Sequence, residues 1–269
     1  MAEAKPAVPV AADKSGSKRN VLASGSPVAL ITGAAMGIGR SIAARLLDHG
    51  YRIVAVDIDE EALLRSFDGF AKDQVLTVIA DIADEEQATG CVRSGIDHFG
   101  RLDGVVNSAA LHGAAWNKPS LSYAPEAWQR LFAVNVFAIP VLAKAAREAL
   151  SKADGVIVNI SSMVGYGHGP GSAYALSKVA VNGMTMSLAK ELGKDGIRVV
   201  GVAPGFIATP TVLEFLDQAS LDRIEALQAL PGQGAPDDVA EIVAFLLSPG
   251  ARLLTGTTLH ADLGIIRRL

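Results

Sequence analysis

From Pro27 onward, short apolar, β-branched runs alternate with longer segments whose apolar residues recur at helical spacing. The runs at 28–32 (VALIT), 51–57 (YRIVAVD), 75–81 (VLTVIAD), 102–108 (LDGVVNS), 155–161 (GVIVNIS), 197–203 (IRVVGVA) and 257–262 (TTLHAD) predict strands. Most lack polar alternation, the pattern of strands covered on both faces. Helical windows lie near 38–49, 59–70, 84–99, 126–151, 172–194 and 236–247. This βαβα order predicts an α/β fold, a doubly wound, parallel seven-stranded sheet with right-handed crossovers and helices on both faces. No repeat or second linker interrupts 27–269, which is expected to be one domain. The segment 209–234 is longer than a connection between strand six and the last helix needs, and predicts a lid or substrate loop.

Residues 1–26 are rich in Ala, Pro, Ser and Lys without periodicity, which predicts a disordered leader. Pro6, Pro9 and Asp13 break up any signal-peptide core, and Glu3, Asp13 and the single Arg19 argue against a transit peptide. The net charge of −4 and the scattering of Lys and Arg offer no basic field, so neither nucleic acid nor anionic lipid is an expected partner. Cys91 is the only cysteine, which excludes an intrachain disulfide and cysteine zinc sites and fits a reducing cytoplasm. The best candidate for a membrane span, 131–146, is interrupted by Asn135, Pro140 and Lys144, and no membrane association is expected.

The first strand runs into TGAAMGIGR, which places Gly33, Gly37 and Gly39 at a strand-to-helix turn. Glycines there permit positive φ and close backbone approach, and a helix N-terminus favours a pyrophosphate. The spacing is GxxxGxG rather than GxGxxG, and no Gly-Lys-Ser/Thr follows to make a nucleotide-triphosphate loop. Asp57 ends the second strand 18 residues beyond Gly39, where a carboxylate would accept hydrogen bonds from an adenosine ribose. Capping of the next helix by Asp57 or Asp59 is the competing use. Asp57 would repel a 2′-phosphate and no Arg or Lys lies in 33–38 or 57–64, so NAD rather than NADP is predicted. Asp81 ends the third strand, where it reaches an adenine edge or shares the capping of the helix from Asp84. Farther on, Tyr174 and Lys178 stand four residues apart in a helical window, on one face.

In this order, TGAAMGIG (32–39), NSAA (107–110), Asn135, NISS (159–162), the Tyr174–Lys178 pair and PGFIATP (204–210) make the chain resemble the short-chain dehydrogenase/reductase family from Pro27 to Gly264. The resemblance implies a single-domain Rossmann fold whose turn of Gly33, Met36, Gly37, Ile38 and Gly39 holds the dinucleotide. It implies Asp81 and Ile82 at the adenine, Asn107 along the fourth strand, Pro204, Gly205, Ile207 and Thr209 toward the nicotinamide, and Tyr174 and Lys178 beside it. It also implies a tetrad for hydride transfer at Asn135, Ser162, Tyr174 and Lys178, with Asn135 holding a water in a proton relay. Three departures stand out: Ala110 replaces a glycine, Asp262-Leu263-Gly264 replaces Asp-Gly-Gly, and Ser162 lies 12 residues before Tyr174 where Ser161 lies 13. The second serine of the pattern is the expected one, with Ser161 as the alternative.

A free tyrosine has a pKa of ~10, and a neighbouring ammonium favours its phenolate. Lys178 is therefore expected to lower the Tyr174 pKa so that the phenol exchanges a proton with an alcohol, while Ser162 holds the substrate oxygen. His112, Trp116, Met163, Val164, Tyr166, His168, Phe206 and part of 211–222 are expected around the substrate. They form a largely apolar set without clustered cations, which fits a neutral, fairly hydrophobic secondary alcohol or ketone. His112 and His168 lack ligand spacing with other donors, so no metal is expected. The resemblance implies packing of helices 126–151 and 172–194 against a second subunit, in a homotetramer. The competing functions are an NADPH-dependent carbonyl or 3-oxoacyl reductase, a non-catalytic NAD-binding protein and a methyltransferase, the last of which has no use for Tyr174 and Lys178.

Overall fold

The computed structural model describes residues 25–265 apart from 168–170, 210, 211 and 213–216, so most of the predicted leader and His168 lie outside the described residues. Seven strands form the sheet: β1 Val28–Thr32, β2 Arg52–Asp57, β3 Val75–Ile79, β4 Gly104–Asn107, β5 Val156–Ile160, β6 Arg198–Pro204 and β7 Thr258–Ala261. All neighbours are parallel, in the order β3-β2-β1-β4-β5-β6-β7. Among the described residues the main helices are α1 Gly37–Asp48, α2 Glu60–Ser66, α3 Glu85–Phe99, α4 Pro125–Phe132, α5 Ala138–Lys152, α6 Ala173–Leu192, α7 Gln218–Glu225 and α8 Pro236–Leu247. This is the doubly wound, single-sheet Rossmann architecture, and it reverses direction between β1 and β4, where such sheets open a ligand crevice.

The continuous apolar strands follow from burial on both faces. In β1, Ala29 and Ile31 face a core shared with Ile42 and Leu46 of α1 and Val243 and Leu246 of α8. Val28 and Leu30 face the opposite core, with Val92 of α3, Leu142 and Leu150 of α5 and Leu188 of α6. Each such Leu, Ile or Val contributes roughly 1.5–3 kcal/mol of burial. Polar ties on the α1–α8 side are Arg45–Glu241, at 2.8 Å, and Ser41–Asp237.

The predicted helix over 126–151 divides into α4, a wide π-turn over Ala133–Phe137, and α5. Pro140 supplies the reason: it has no N–H for the carbonyl one turn back, and the preceding turn widens, with the Ala138 N–H reaching the Ala133 carbonyl. Together Pro125–Lys152 is long and apolar enough, by composition, to cross a membrane, although Asn135, Pro140 and Lys144 interrupt its apolar run. Half of its most apolar window is buried inside the fold. Leu131, Leu142, Ala146 and Leu150 are fully buried, so the apolar composition is that of a core helix.

Candidate active site

A cleft of about 540 Å³ runs along the carboxyl edge of the sheet, from Asp57, Asp81 and Arg130 past the glycine turn to Ser162, Tyr174 and Phe206. Local chemistry shapes its first wall. Gly33 and Gly37 adopt φ of 69° and 55°, conformations that favour glycine, and a Cβ on Gly39 would run into the Gly33 carbonyl. The turn therefore delivers the chain into α1 with Met36 as an N-cap that makes no side-chain cap bond. By contrast α2, α3, α6 and α7 are capped by Asp59, Asp84, Ser172 and Asp217. The cleft thus meets a helix N-terminus with uncapped N–H groups and no acid in its first turn, a setting that fits a pyrophosphate.

Asp57 is half-buried at the end of β2, where Oδ2 accepts from the Ala35 N–H at 2.9 Å and Oδ1 from the Ile58 and Asp59 N–H groups at 2.8 and 3.1 Å. Because Asp59 caps α2, Asp57 is released from that use and faces the cleft. Asp84 likewise caps α3, and Asp81 pairs instead with Arg130 at 2.8 Å and accepts from the Ala83 N–H at 3.0 Å. Burial alone would raise the Asp81 carboxyl, but the Arg130 and Ala83 hydrogen bonds outweigh it and hold the group below the usual carboxylate range. Arg130 was not foreseen: it stands 49 residues from Asp81, and no local signal joins the two.

Tyr174 and Lys178 occupy successive turns of α6 on the cleft side. Lys178 is 3% exposed, donates from Nζ to the Ile160 carbonyl at 2.8 Å and lies 5.6 Å from the centre of the Tyr174 ring. Ser162 caps the short turn Met163–Tyr166, and its hydroxyl lies beside the Tyr174 phenol. Gly165 permits this approach, since a Cβ there would sit 2.8 Å from the Lys178 backbone. Ser161 points the other way, into α6, donating to Asn182 Oδ1 at 2.6 Å and to the Lys178 carbonyl at 3.3 Å. The expected lowering of the Tyr174 pKa is not found among the protein's own groups. Burial pushes the phenol up to about 12, only partly opposed by the neighbouring Ser162 hydroxyl, and burial pushes Lys178 down to about 8. Withdrawal from water penalises phenolate and ammonium alike, and here it exceeds the attraction between them.

Asn135 occupies the π-turn. Its Oδ1 accepts from the Leu111 N–H at 2.8 Å, and its Nδ2 donates to the Leu111 carbonyl and to Ser177 Oγ. The widened turn thus lets a poor helix former bind the strand-four exit and α6 together. Asn107 does not line the main cleft: its Nδ2 donates to Asn159 across β4–β5, and it borders a separate cavity of about 10 Å³ shared with Asn135 and Lys178. Ser108, Ala109 and Ala110 line the main cleft in its place.

On the expected substrate side, His112, Met163, Val164 and Phe206 do line the cleft, joined by Asn117, Val212 and Ile224 of α7. Desolvation and then the Lys178 charge hold the His112 imidazole below its ordinary range, 6.5 Å from the Tyr174 ring. Trp116 and Tyr166 are elsewhere. Trp116 stacks on Tyr123, and its carbonyl accepts from the Tyr174 N–H at 3.4 Å, so it braces the start of α6 rather than a ligand. Tyr166 packs on His260, 4.3 Å between ring centres. Of the 209–234 segment, only Thr209, Val212 and Ile224 among the described residues reach the cleft, and Thr209 lies against Gly37. Leu263, where a glycine was the expected residue, takes φ of 54°, a conformation that a leucine adopts only under strain.

A family profile described as enoyl-(acyl carrier protein) reductase matches residues 33–266. The (3R)-3-hydroxyacyl-CoA dehydrogenase of Mus musculus is 36% identical over 252 residues, 89% of this chain and 96% of its own. A solved 3-ketoacyl-(acyl-carrier-protein) reductase from Brucella melitensis, complexed with NADH, superposes with a TM-score of 0.81 at 32% identity, covering 89% of this chain and 98% of that one. A solved short-chain dehydrogenase from Burkholderia cenocepacia, in complex with NADP, gives 0.81 at 30% identity over 90% and 98% of the two chains.

Proposed function

The chain belongs to the short-chain dehydrogenase/reductase family of oxidoreductases acting on hydroxyl and keto groups, and from that premise we propose that it interconverts a neutral, fairly hydrophobic secondary alcohol and its ketone with NAD. The observation that carries this reading is the grouping of Ser162, Tyr174 and buried Lys178 in the same cleft as Asp57. Nicotinamide, when bound, supplies the site that takes or returns a hydride. The protein's residues do the rest. Uncapped N–H groups of α1 would receive the pyrophosphate, and Asp57 Oδ2, which keeps a lone pair beyond its bond to Ala35, would accept from the ribose diol. Ser162 holds the substrate oxygen, and Tyr174 passes a proton to or from it. Lys178 places positive charge beneath the phenol, and Asn135 fixes α6 against the strand-four exit through Leu111 and Ser177. Ser162 is the serine for this role, because Ser161 is already committed to Asn182.

The NAD preference rests on Asp57 and its neighbours. Met36 and Ile58, 53% and 60% exposed, flank it and bring no positive charge to a 2′-phosphate. Neutral His112 and the apolar lining of Met163, Val164, Phe206 and Ile224 support an uncharged carbon skeleton at the reacting end. The test is nicotinamide absorbance, monitored while sterols, terpene alcohols, cyclic diols and hydroxyacyl thioesters are offered with NAD and with NADP. Turnover of at least one uncharged secondary alcohol, faster with NAD, is expected. Activity restricted to NADP would remove the cofactor assignment, and no turnover across the panel would favour a non-catalytic NAD-binding protein.

Assembly as a homotetramer is part of the same proposal. Leu176, Val179 and Met186 are each about half exposed along one stripe of α6, and Phe137 of the π-turn is exposed as well. The stripe's Gly183 has open space before it, which allows close approach of a second helix. Light scattering should give four copies for the unaltered protein and fewer for Leu176→Glu combined with Met186→Glu. A monomeric unaltered protein would contradict the assignment.

A further inference from the structure

We propose that Arg130 is a positioning residue for base recognition: by fixing the Asp81 carboxylate at the far end of the cleft, it makes the site select a 6-aminopurine over a 6-oxopurine dinucleotide. The inference rests on the dinucleotide reading above and goes beyond it to a residue outside the glycine turn and the tetrad.

Three groups hold the end of β3. The Arg130 guanidinium meets Asp81 Oδ2 at 2.8 Å, the Ala83 N–H meets Oδ1 at 3.0 Å, and Gln87 Oε1 accepts from the Asp81 N–H at 2.9 Å. Asp84 takes over the capping of α3, so the Asp81 carboxylate is not needed as the cap. Arg130, Asp81, Ile82 and Val134 all line the cleft, and the two apolar members provide a flat contact for a planar ring. Arg130 comes from α4 and Asp81 from just beyond β3, so the ion pair ties two separate elements together at this end of the cleft. Side chains in that pair are 42% and 28% exposed, which makes the bond worth little for stability. Its consequence is directional: a carboxylate gripped by one charged and one backbone donor keeps its remaining lone pairs on fixed headings.

A fixed carboxylate is acceptor-only. Toward an adenine it meets an exocyclic amine, which donates. Toward a hypoxanthine it meets a carbonyl oxygen, which repels. An unanchored Asp81 would turn toward solvent and lose both effects. Arg130 acts through Asp81 and touches no reacting atom.

The experiment measures dissociation constants for NADH and for its hypoxanthine analogue by nicotinamide fluorescence, with thermal melting as a check on folding. The unaltered protein should prefer NADH by about 10-fold or more, the scale of one hydrogen bond to a charged group. Arg130→Met should weaken NADH about 10-fold and the analogue by less than about 2-fold, so the preference collapses. Arg130→Lys should retain part of it, and Arg130→Met combined with Asp81→Asn should lose no more than Asp81→Asn alone. Equal weakening of both dinucleotides in Arg130→Met would show that Arg130 contacts the ligand directly or only shapes the cleft, and would overturn the inference. An unchanged preference would overturn it too. NADH binding without base discrimination in the unaltered protein would sink this inference alone, whereas no NADH binding would sink the dinucleotide reading with it.

Discussion

Tyr174→Phe should leave NADH affinity within about 2-fold of the original and lower turnover by at least ~10²-fold, the contribution of a positioned acid–base group. The substitution removes one oxygen, and with it the contact to Ser162, from a ring still braced by His112 and by the Trp116 carbonyl on the backbone N–H. Packing is retained, so a lost rate reports lost proton transfer. The pH profile adds an independent check. With the phenol pushed up to about 12, its protonated form, the one that serves ketone reduction, is present throughout the neutral range, while alcohol oxidation needs phenolate and should rise with pH. Lys178, pushed down to about 8, carries its charge fully below that pH and loses it above. Reduction is therefore expected to be level up to about pH 8 and to decline beyond it. Steady-state rates in both directions from pH 6 to 10 would show this; in Tyr174→Phe the alkaline rise of oxidation should vanish. Comparable turnover in the phenylalanine variant would end the case for this tyrosine as the proton carrier.

Much of this arrangement was legible before the structure, and its limits have physical causes. The strands were legible because burial on both faces writes itself as continuous apolar runs, and the glycine turn because positive φ and close approach demand glycine. Tyr174 and Lys178 share a helix, so their proximity follows from spacing alone. What spacing cannot encode is contact between distant segments. The Asp81–Arg130 pair joins the end of β3 to α4, and Asn135 joins a π-turn to Leu111 and Ser177. Direction of approach was equally hidden: of two adjacent serines that both border the cleft, one meets Tyr174 and the other spends its hydroxyl on α6, and Tyr166, four residues beyond Ser162, turns to His260. The sign of the Tyr174 shift was missed for a different reason. Charge proximity can be read from a helix, whereas desolvation depends on everything packed around the pair.

Asp57→Ser combined with Ile58→Arg should move the ratio of kcat/KM for NAD over NADP by roughly 10²–10³-fold toward NADP. Two effects act together. Loss of the carboxylate removes hydrogen bonds from a charged acceptor, about 1.5–3 kcal/mol against NAD, and ends its repulsion of a 2′-phosphate. The guanidinium, introduced at a position that is 60% exposed, then has room to meet that phosphate with paired N–H donors. Asp57 has a second duty that the single variants separate. Its Oδ2 holds the Ala35 N–H and its Oδ1 holds those of Ile58 and Asp59, so it fastens the glycine turn to the end of β2. Asp57→Ser alone should therefore weaken both cofactors, NAD more than NADP, by loosening the turn that presents α1 to the pyrophosphate. Adding Ile58→Arg should restore NADP and not NAD. Initial rates with each cofactor, for the two single variants and the double one, distinguish these parts. A ratio that stays with NAD in the double variant would place cofactor choice outside the β2 terminus and leave Asp57 as a brace for the turn.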